Sequence, residues 1–404
     1  MNFPVFLTPI LTCIGLLGVA SFSNRNAVRN AGLFTLSLLF VIELYAGMDP
    51  AKETGTLSDL GSVVVLGNLL ACFYTPAFMS SRLTFVLILT MNLVTLTLTK
   101  FNTPQLLMWS VPVFFGLLLA AVGKQHGMHR LLLSFGAVSC LLLFLSVNVA
   151  GEIDGQMRVA ELIGLMILVG LFPLSSWYSR LFEILPTGTL ASVFVFQVIL
   201  VMAFEQQLAL DRGLLLLVLP VFAVLSLLMA LSQGCARRAL AGLAASQLAF
   251  LIYADSGRHF SELAATLLAQ AQMVTVPGLI LTIGTLEMRA GKLNLLRPSG
   301  QYDSYPKLAS AMLLFGLMGA GFPLSLAYIA EDLILEAGFS ETPLMGMSWL
   351  VVTALMAILV VKMYLYLCHG RKGHEPGIDI LPAKLFAAVL ATIYLLAASF
   401  TVAA

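Results

Sequence analysis

Phe172-Pro173-Leu174-Ser175 recurs 150 positions later as Phe322-Pro323-Leu324-Ser325. The same spacing relates three further pairs: Tyr178 and Tyr328, Ile184 and Ile334, and Leu185 and Leu335. In each copy the proline stands in a long apolar run after a glycine, Gly170 in the first and Gly319 and Gly321 in the second. Helices interrupted by glycine and proline at matching places in two halves are typical of membrane transporters built from repeats. We therefore predict two broken helices, at Pro173 and Pro323.

The composition indicates a chain that crosses a membrane many times. Apolar residues make up 60% of it and charged residues 10%, whereas soluble domains carry about 25% charged residues. A span needs about 20 apolar residues. We predict an all-α polytopic membrane protein with about 14 transmembrane helices, at 4–20, 29–47, 60–79, 82–99, 104–122, 129–150, 159–178, 186–206, 213–232, 237–254, 262–286, 308–336, 347–369 and 383–402.

The charges of the predicted loops indicate an orientation. The odd-numbered loops hold 15 of the 21 Lys and Arg residues and the even-numbered loops hold 5, with Lys362 inside a span. Because basic residues favour the cytoplasmic side, we predict cytoplasmic odd loops and both termini on the outer side. The span with Pro173 then runs inward and the span with Pro323 runs outward, so the two copies have opposite topology, as inverted repeats do.

This division predicts four parts. They are N-terminal transmembrane helices at 1–81, a first inverted five-helix repeat at 82–206, a second at 213–369, and a C-terminal transmembrane helix at 383–402. Chance recurrence of a short motif in Leu- and Phe-rich sequence is the alternative. Agreement in spacing, proline, glycine and orientation favours the repeat.

Ionisable residues inside predicted spans are the main functional candidates, because each costs about 3 kcal/mol or more in hydrocarbon. Glu331 and Asp332 follow Pro323 by eight and nine positions, and Lys362 lies in the thirteenth span. Two adjacent carboxylates cannot both ionise cheaply at low dielectric, so one is a candidate proton-exchanging group. A structural ion pair with Lys362 is the alternative, and Lys362 could also reach the cytoplasmic face. Glu161, near the outer start of the seventh span, is a further candidate or a solvated helix end.

Neutral polar residues in the spans are weaker candidates. Gln272 shares the eleventh span with Pro277, which lacks an N–H and is predicted to break that helix. Amides cannot relay protons by titration. Interhelical hydrogen bonding is therefore the favoured role of the polar group Ser246, Gln247, Thr266, Gln270 and Gln272. Glu43, at the outer end of the second span, is interpreted as a solvated helix end.

The five cysteines lie singly in or beside spans, at Cys13, Cys72, Cys140, Cys235 and Cys368. Their spacing matches neither a metal site nor a disulfide framework. Short loops leave no soluble domain for a flavin, an iron–sulfur cluster or an ATPase. We expect this chain to bind no cofactor or metal and to have no catalytic residues of its own, so that any oxidoreductase chemistry would reside in partner subunits.

Three segments match known patterns in order. Gln233 to Phe250 resembles "Q-x-D-(I/L)-K-R-x-L-A-Y-S-(S/T)-x-S-Q-x-G-Y", Gly170 to Thr187 resembles the broken helix "P-x-x-x-W-L-P-D-A…P-T", and Gly321 to Glu331 resembles "G-x-P…G-F-x-x-(K/E)". These are patterns of antiporter-like subunits, the proton-pumping membrane subunits of respiratory complex I, of membrane-bound hydrogenases and of multisubunit Na⁺/H⁺ antiporters. The resemblance covers most of spans three to thirteen and implies 14 helices with inverted repeats.

The departures from the family pattern fall at its titratable positions. The resemblance implies a relay of Glu, Lys and His residues in the fifth span, the first broken helix, the segment after the Pro-Thr motif and the eleventh span. Here those positions hold Ser110, Leu168, Phe194, Gln272 and Val276. Only the last relay position keeps an acid, Glu331. The chain is thus interpreted as a degenerate member that has lost most relay residues.

Three functions follow. The favoured one is a scaffold or docking subunit, with impaired ion translocation, of a complex-I-like, hydrogenase-like or inorganic-carbon uptake complex. The second is an active proton- or cation-translocating subunit using Glu331, Asp332, Lys362 and Glu161. The third is a free-standing secondary transporter, which the lack of a charged substrate pocket disfavours.

The expected partners are other membrane and soluble subunits and lipids, without nucleic acid. The loop from Glu287 to Lys307, with Arg289, Lys292 and Arg297, is the longest basic connection. We predict that it lies near a cytoplasmic partner or anionic lipid headgroups, although positive-inside topology alone would also explain it. The expected location is a bacterial inner membrane.

Overall fold

The computed structural model describes residues 3–22, 24–47, 60–75, 82–101, 103–123, 126–149, 156–207, 212–256, 262–323, 325–370, 379, 384, 388–389 and 391–397. Within these ranges the chain forms fifteen principal helices: α1 (Phe3–Ser21), α2 (Arg25–Gly47), α3 (Gly61–Tyr74), α4 (Arg82–Lys100), α5 (Pro104–Val122), α6 (His126–Val149), α7 (Gln156–Val169), α8 (Ser176–Ile184), α9 (Thr187–Gln207), α10 (Arg212–Ser232), α11 (Ala236–Ser256), α12 (Glu262–Ala290), α13 (Pro306–Gly319), α14 (Leu326–Glu341) and α15 (Pro343–Cys368).

Helix length and surface character agree with a membrane protein. Seven helices, α2, α4, α5, α6, α9, α12 and α15, are long and apolar enough to cross a membrane, and α1, α3, α7, α10 and α13 contain shorter apolar stretches. Large apolar side chains are exposed on the outside of the bundle, such as Trp109 on α5, Leu141 on α6 and Ile358 on α15. Contiguous apolar surface of this extent faces lipid or partner proteins. The chain is an integral membrane protein.

The centre of the bundle is formed by α3, α9 and α12, which pack against one another. Every residue of α9 from Thr187 to Phe204 is buried, as expected for a helix that is apolar on all sides. Small residues let these helices approach closely. A Cβ on Gly188 would collide with Thr75, the residue that caps the end of α3, and one on Gly284 of α12 would collide with Thr187.

The predicted break at Pro277 is wrong. Helix α12 runs from Glu262 to Ala290 with Pro277 inside it. A proline at this position leaves the carbonyl of Met273, four residues earlier, without its helical N–H donor. Gly67 of α3 packs at that place, since a Cβ on Gly67 would lie 2.8 Å from Met273 O. Helix α3 thus packs closely at the carbonyl that the proline leaves without a helical donor.

The other two predicted breaks coincide with interruptions of helices. Pro173 lies between the end of α7 at Val169 and the start of α8 at Ser176, and Pro323 lies between the end of α13 at Gly319 and the start of α14 at Leu326. The predicted span at 383–402 lies mostly outside the described residues.

The basic connection between α12 and α13 packs against two helix termini. Leu295 N–H donates to Gly234 O at 2.8 Å, just before α11. At the end of α15, backbone N–H groups of the loop donate to carbonyls that lack helical partners, with the pairs Ser299 to Tyr366, Gly300 to His369, Gln301 to Leu367 and Tyr302 to Cys368. Lys292 and Arg297 are exposed on this connection, and Lys307 is exposed at the start of α13.

Candidate functional site at the two helix breaks

A glycine C-cap ends the first half of the first broken helix. Gly170 has a φ of +72°, and Leu171 N–H donates to Met166 O at 3.0 Å while Gly170 N–H donates to Ile167 O at 3.1 Å. These two bonds form a Schellman motif, for which glycine is the preferred residue. The local chemistry of Gly170 therefore explains why α7 ends at this point.

Neutral side chains complete the hydrogen bonding of this first break. Gln197 of α9 donates from Nε2 to Leu168 O at 3.0 Å and accepts from Tyr178 Oη at 2.9 Å. Trp177 Nε1 donates to Ile167 O at 3.1 Å. The carbonyls of Ile167 and Leu168 near the end of α7 are thus paired with an indole and an amide, and neither of these groups is charged.

A glycine C-cap also forms the second break, and this glycine lies one residue closer to the repeated motif. Gly321 has a φ of +69°, and Phe322 N–H donates to Leu317 O at 3.0 Å. The repeated motif follows the capping glycine by two residues at Gly170 and by one at Gly321. Ser325 then begins α14, because its Oγ accepts from Tyr328 N–H at 3.2 Å, as an N-cap serine does.

Glu331 is the acid of this break, and it is buried with 7% of its surface exposed. Its carboxylate lies against Gly321, where any Cβ would collide with Oε2 and stand 3.0 Å from Cδ. Among the described residues Oε1 has no hydrogen-bond partner. A buried carboxylate oxygen without a donor is costly, so this group has capacity for a proton or a cation.

Two amides connect the second break to the centre of the bundle. Gln247 of α11 donates from Nε2 to Gly319 O at 2.8 Å, and Gln272 of α12 donates from Nε2 to Gln247 O at 2.8 Å. Both contacts join different helices, which is the role expected for these amides. Gln272 Oε1 has no partner among the described residues.

The other predicted site residues have different neighbours from those of Glu331. Asp332 is exposed on the outer side of α14. Lys362 donates from Nζ to Leu231 O near the end of α10, where a cation favours the helix C-terminus, and its Nζ lies 5.8 Å from the centre of the Tyr366 ring. Glu161 is buried in α7, which packs against α6.

The five positions at which the resemblance implies other relay residues are all buried. Leu168 and Phe194 are fully buried, and Ser110, Gln272 and Val276 are at most 3% exposed. Ser110 Oγ donates to Leu107 O within its own helix at 2.5 Å. The interior at these positions is therefore apolar or neutral. No group of three metal-ligating side chains occurs among the described residues.

A cavity of about 580 Å³ opens where α8, α9, α11 and α12 meet, with Cys235, Thr187 and Lys292 in its lining. Arg237 pairs with Glu287 beside it and donates to Leu185 O at 3.0 Å. The neighbouring cation, Arg238, pairs with Glu183 of α8 at 2.8 Å. The two arginines of the resemblance motif thus tie the start of α11 to α8 and α12.

Two polar contacts escape sequence reasoning. Lys100 Nζ lies 2.8 Å from Glu43 Oε2, and both side chains are at most 7% exposed. Glu43 is therefore a buried partner of an ion pair at the start of α3 and not the solvated helix end expected. The second contact is that of Gln197 with the first break. Its lone amide in an apolar helix could have indicated a bond across helices, because such groups usually form one. Nothing in the sequence near Glu43 or Lys100 indicates that these two residues pair.

No protein-family model matches this sequence, and no curated protein matches it. Solved structures match its fold over nearly the whole chain. A chain of respiratory complex I from Thermus thermophilus is 19% identical with a TM-score of 0.82, covering 97% of this chain and 94% of that one. This chain has the fold of antiporter-like subunits.

Two further structures support that result. A chain of the Mrp complex from Dietzia sp. is 16% identical, with a TM-score of 0.81 and coverage of 99% of this chain and 95% of that one. A chain of the membrane-bound sulfane sulfur reductase, an archaeal respiratory membrane complex, is 13% identical, with a TM-score of 0.82 and coverage of 98% and 75%. The resemblance predicted from the motifs is confirmed at the level of the fold.

Proposed function

We propose that this chain is an antiporter-like membrane subunit of a multisubunit energy-converting complex, in which it serves as a scaffold or docking element with impaired ion translocation. The observation that carries the proposal is the neutral first break. Leu168 stands where the resemblance implies a lysine, and its carbonyl is bonded to the amide of Gln197. A proton relay needs groups that titrate, and an amide does not.

The same proposal includes 14 membrane crossings and two inverted repeats, α4–α9 and α10–α15. Corresponding helix pairs are in contact in both sets, which supports it: α4 packs on α9 as α10 packs on α15, and α6 packs on α7 as α12 packs on α13. The shared glycine caps at Gly170 and Gly321 also support it. Both termini would face outward across a bacterial inner membrane, and the exposed basic loop would meet a cytoplasmic subunit or anionic lipids.

A second function, active translocation of protons or cations, is favoured by Glu331. Its carboxylate is buried, with one oxygen unbonded among the described residues. Asp332, Lys362 and Glu161 would complete such a path only through intervening groups or water. In the scaffold role Glu331 is a packing residue of the second break.

Purification of the tagged chain in mild detergent, followed by mass spectrometry, tests the subunit role. We expect a stoichiometric set of membrane subunits with soluble redox or metal-binding subunits, and a monodisperse chain alone would overturn it. Glu331→Gln then separates the two functions in the intact complex, with Glu183→Gln, in the partly exposed pair with Arg238, as the control. Unchanged ion movement in liposomes supports the scaffold role, whereas its loss with assembly preserved supports translocation.

A further inference from the structure

Helix α14 presents two carboxylates on a face that the described residues leave uncovered. Asp332 and Glu336 are four residues apart, so they share one side of the helix, and both are exposed. Glu331 points to the opposite, buried side. Among the principal helices, α14 packs against α12, α13 and α15, and the acidic side faces away from them.

The register between α14 and α15 gives the depth of these acids. A Cβ on Gly338 would lie 3.6 Å from the Cα of Gly346, and the two helices are joined by the single residue Thr342. Glu336 is therefore about level with residue 348, and Asp332 about level with residue 352.

At that depth the neighbouring exposed surface is apolar. On α15 the exposed side chains there are Met347, Leu350 and Val351, and Leu344 is 74% exposed still closer to the link at Thr342. Both acids thus lie deeper than the outermost exposed apolar residue of the adjoining helix. By the proposed crossings at 308–336 and 347–369, Asp332 lies within the hydrocarbon layer and Glu336 at its edge.

An ionised carboxylate facing hydrocarbon costs about 3 kcal/mol or more. The chain supplies no cation to these two groups among its described residues, since no hydrogen bond or ion pair joins Asp332 or Glu336 to a basic side chain. Lys362, which the sequence places inside the thirteenth span, donates to Leu231 O instead. The compensating charge is therefore sought beyond the described residues.

We infer that this face binds a transmembrane helix of another subunit that carries a Lys or Arg at the depth of Asp332 and Glu336. The surroundings suit a helix, because exposed Tyr328, Leu333 and Phe339 flank the acids and aromatic residues are enriched at interfaces. A second copy docked through the same face would bring four carboxylates together. The inference rests on the proposed subunit role, for which it names the class of partner.

Photocrosslinking in the intact complex tests this inference. Benzoylphenylalanine at Leu333 should form an adduct with one transmembrane segment that has a Lys or Arg within a helical turn of the crosslinked residue. The same probe at Ile358, exposed on α15, serves as the control. Asp332→Asn with Glu336→Gln should lower the Leu333 adduct about tenfold, the effect of losing about 1.4 kcal/mol, and leave the Ile358 adduct unchanged.

A charge exchange identifies the bond itself. Asp332→Lys with Glu336→Lys should abolish the adduct, and Glu in place of the partner's basic residue should restore it. An adduct with lipid only, with a helix lacking a basic residue, or with unchanged yield in the Asn/Gln variant would overturn the inference while leaving the subunit role intact.

If the chain purifies alone, the subunit role is overturned. A synthetic transmembrane peptide then tests whether the acidic face of α14 still prefers a basic helix. Energy transfer in liposomes would compare a Leu-Ala transmembrane peptide carrying one central Lys with the same peptide carrying Leu. The inference requires about tenfold preference for the Lys peptide, lost in the Asn/Gln variant. Equal association of both peptides would overturn it.

Discussion

The carboxylate of Glu331 lies so close to Gly321 that a Cβ on the glycine would stand 3.0 Å from the carboxylate carbon. Gly321 also has a φ of +69°, which residues with a side chain rarely adopt. Gly321→Ala should therefore destabilise the chain by about 1–2 kcal/mol through the backbone alone, and further through the collision. The thermal midpoint of the purified chain in detergent measures this.

Gly116→Ala is the matched control, because Gly116 lies inside α5 and a Cβ there has no neighbour within 4 Å. Its midpoint should stay constant or rise slightly, since alanine is the better helix former. Adding Glu331→Ala to Gly321→Ala should recover the part due to collision. If Gly321→Ala and the double variant Gly321→Ala with Glu331→Ala had equal midpoints, Glu331 would not constrain the second break.

Gln197→Leu should destabilise the first break, because it leaves Leu168 O and Tyr178 Oη without their partners. The expected loss is about 1–3 kcal/mol in the free energy of unfolding, measured by titration with a denaturing detergent. Adding Tyr178→Phe should cost little more, since the hydroxyl has already lost its acceptor. Fully additive losses would contradict the hydrogen bond between these side chains.

Glu43→Gln should be among the most destabilising single polar substitutions, because it leaves Lys100 buried without its carboxylate. Loss of one partner of a buried pair costs about 3–5 kcal/mol. Glu183→Gln is the control, since Arg238 is 46% exposed in that pair and exposed pairs contribute about 1 kcal/mol or less. Adding Lys100→Met to Glu43→Gln should restore part of the stability, and equal losses for the two Gln variants would refute the distinction.

The helix breaks were predictable because their causes are local. Gly170 and Gly321 take positive φ values at the ends of α7 and α13, and the motif that follows each glycine is visible in sequence. That Gly321 and not Gly319 caps the second break became evident only from its positive φ and from the bond between Phe322 N–H and Leu317 O.

The errors concern features that depend on packing between distant parts of the chain. Glu43 and Lys100 are 57 residues apart, so their pairing follows from the arrangement of α2 and α4 and from nothing near either residue. Asp332 adjoins Glu331 in sequence, yet the helical turn places one outside and the other inside. Pro277 would be expected to break its helix, yet α12 continues through it, and we attribute this to the close packing of α3 at Gly67.

Gly67→Ala tests that last explanation. A Cβ on Gly67 would lie 2.8 Å from both Met273 O and Val195 Cγ2, and the first of these is a backbone atom that cannot rotate away. Overpacking of this kind costs about 1–3 kcal/mol, whereas Gly18→Ala in α1 meets nothing within 4 Å and should leave the thermal midpoint unchanged. Adding Pro277→Ala supplies an N–H for Met273 O but leaves the collision in place, so it should not rescue Gly67→Ala. Rescue would show that the proline, and not the approach of α3, determines the packing at this point.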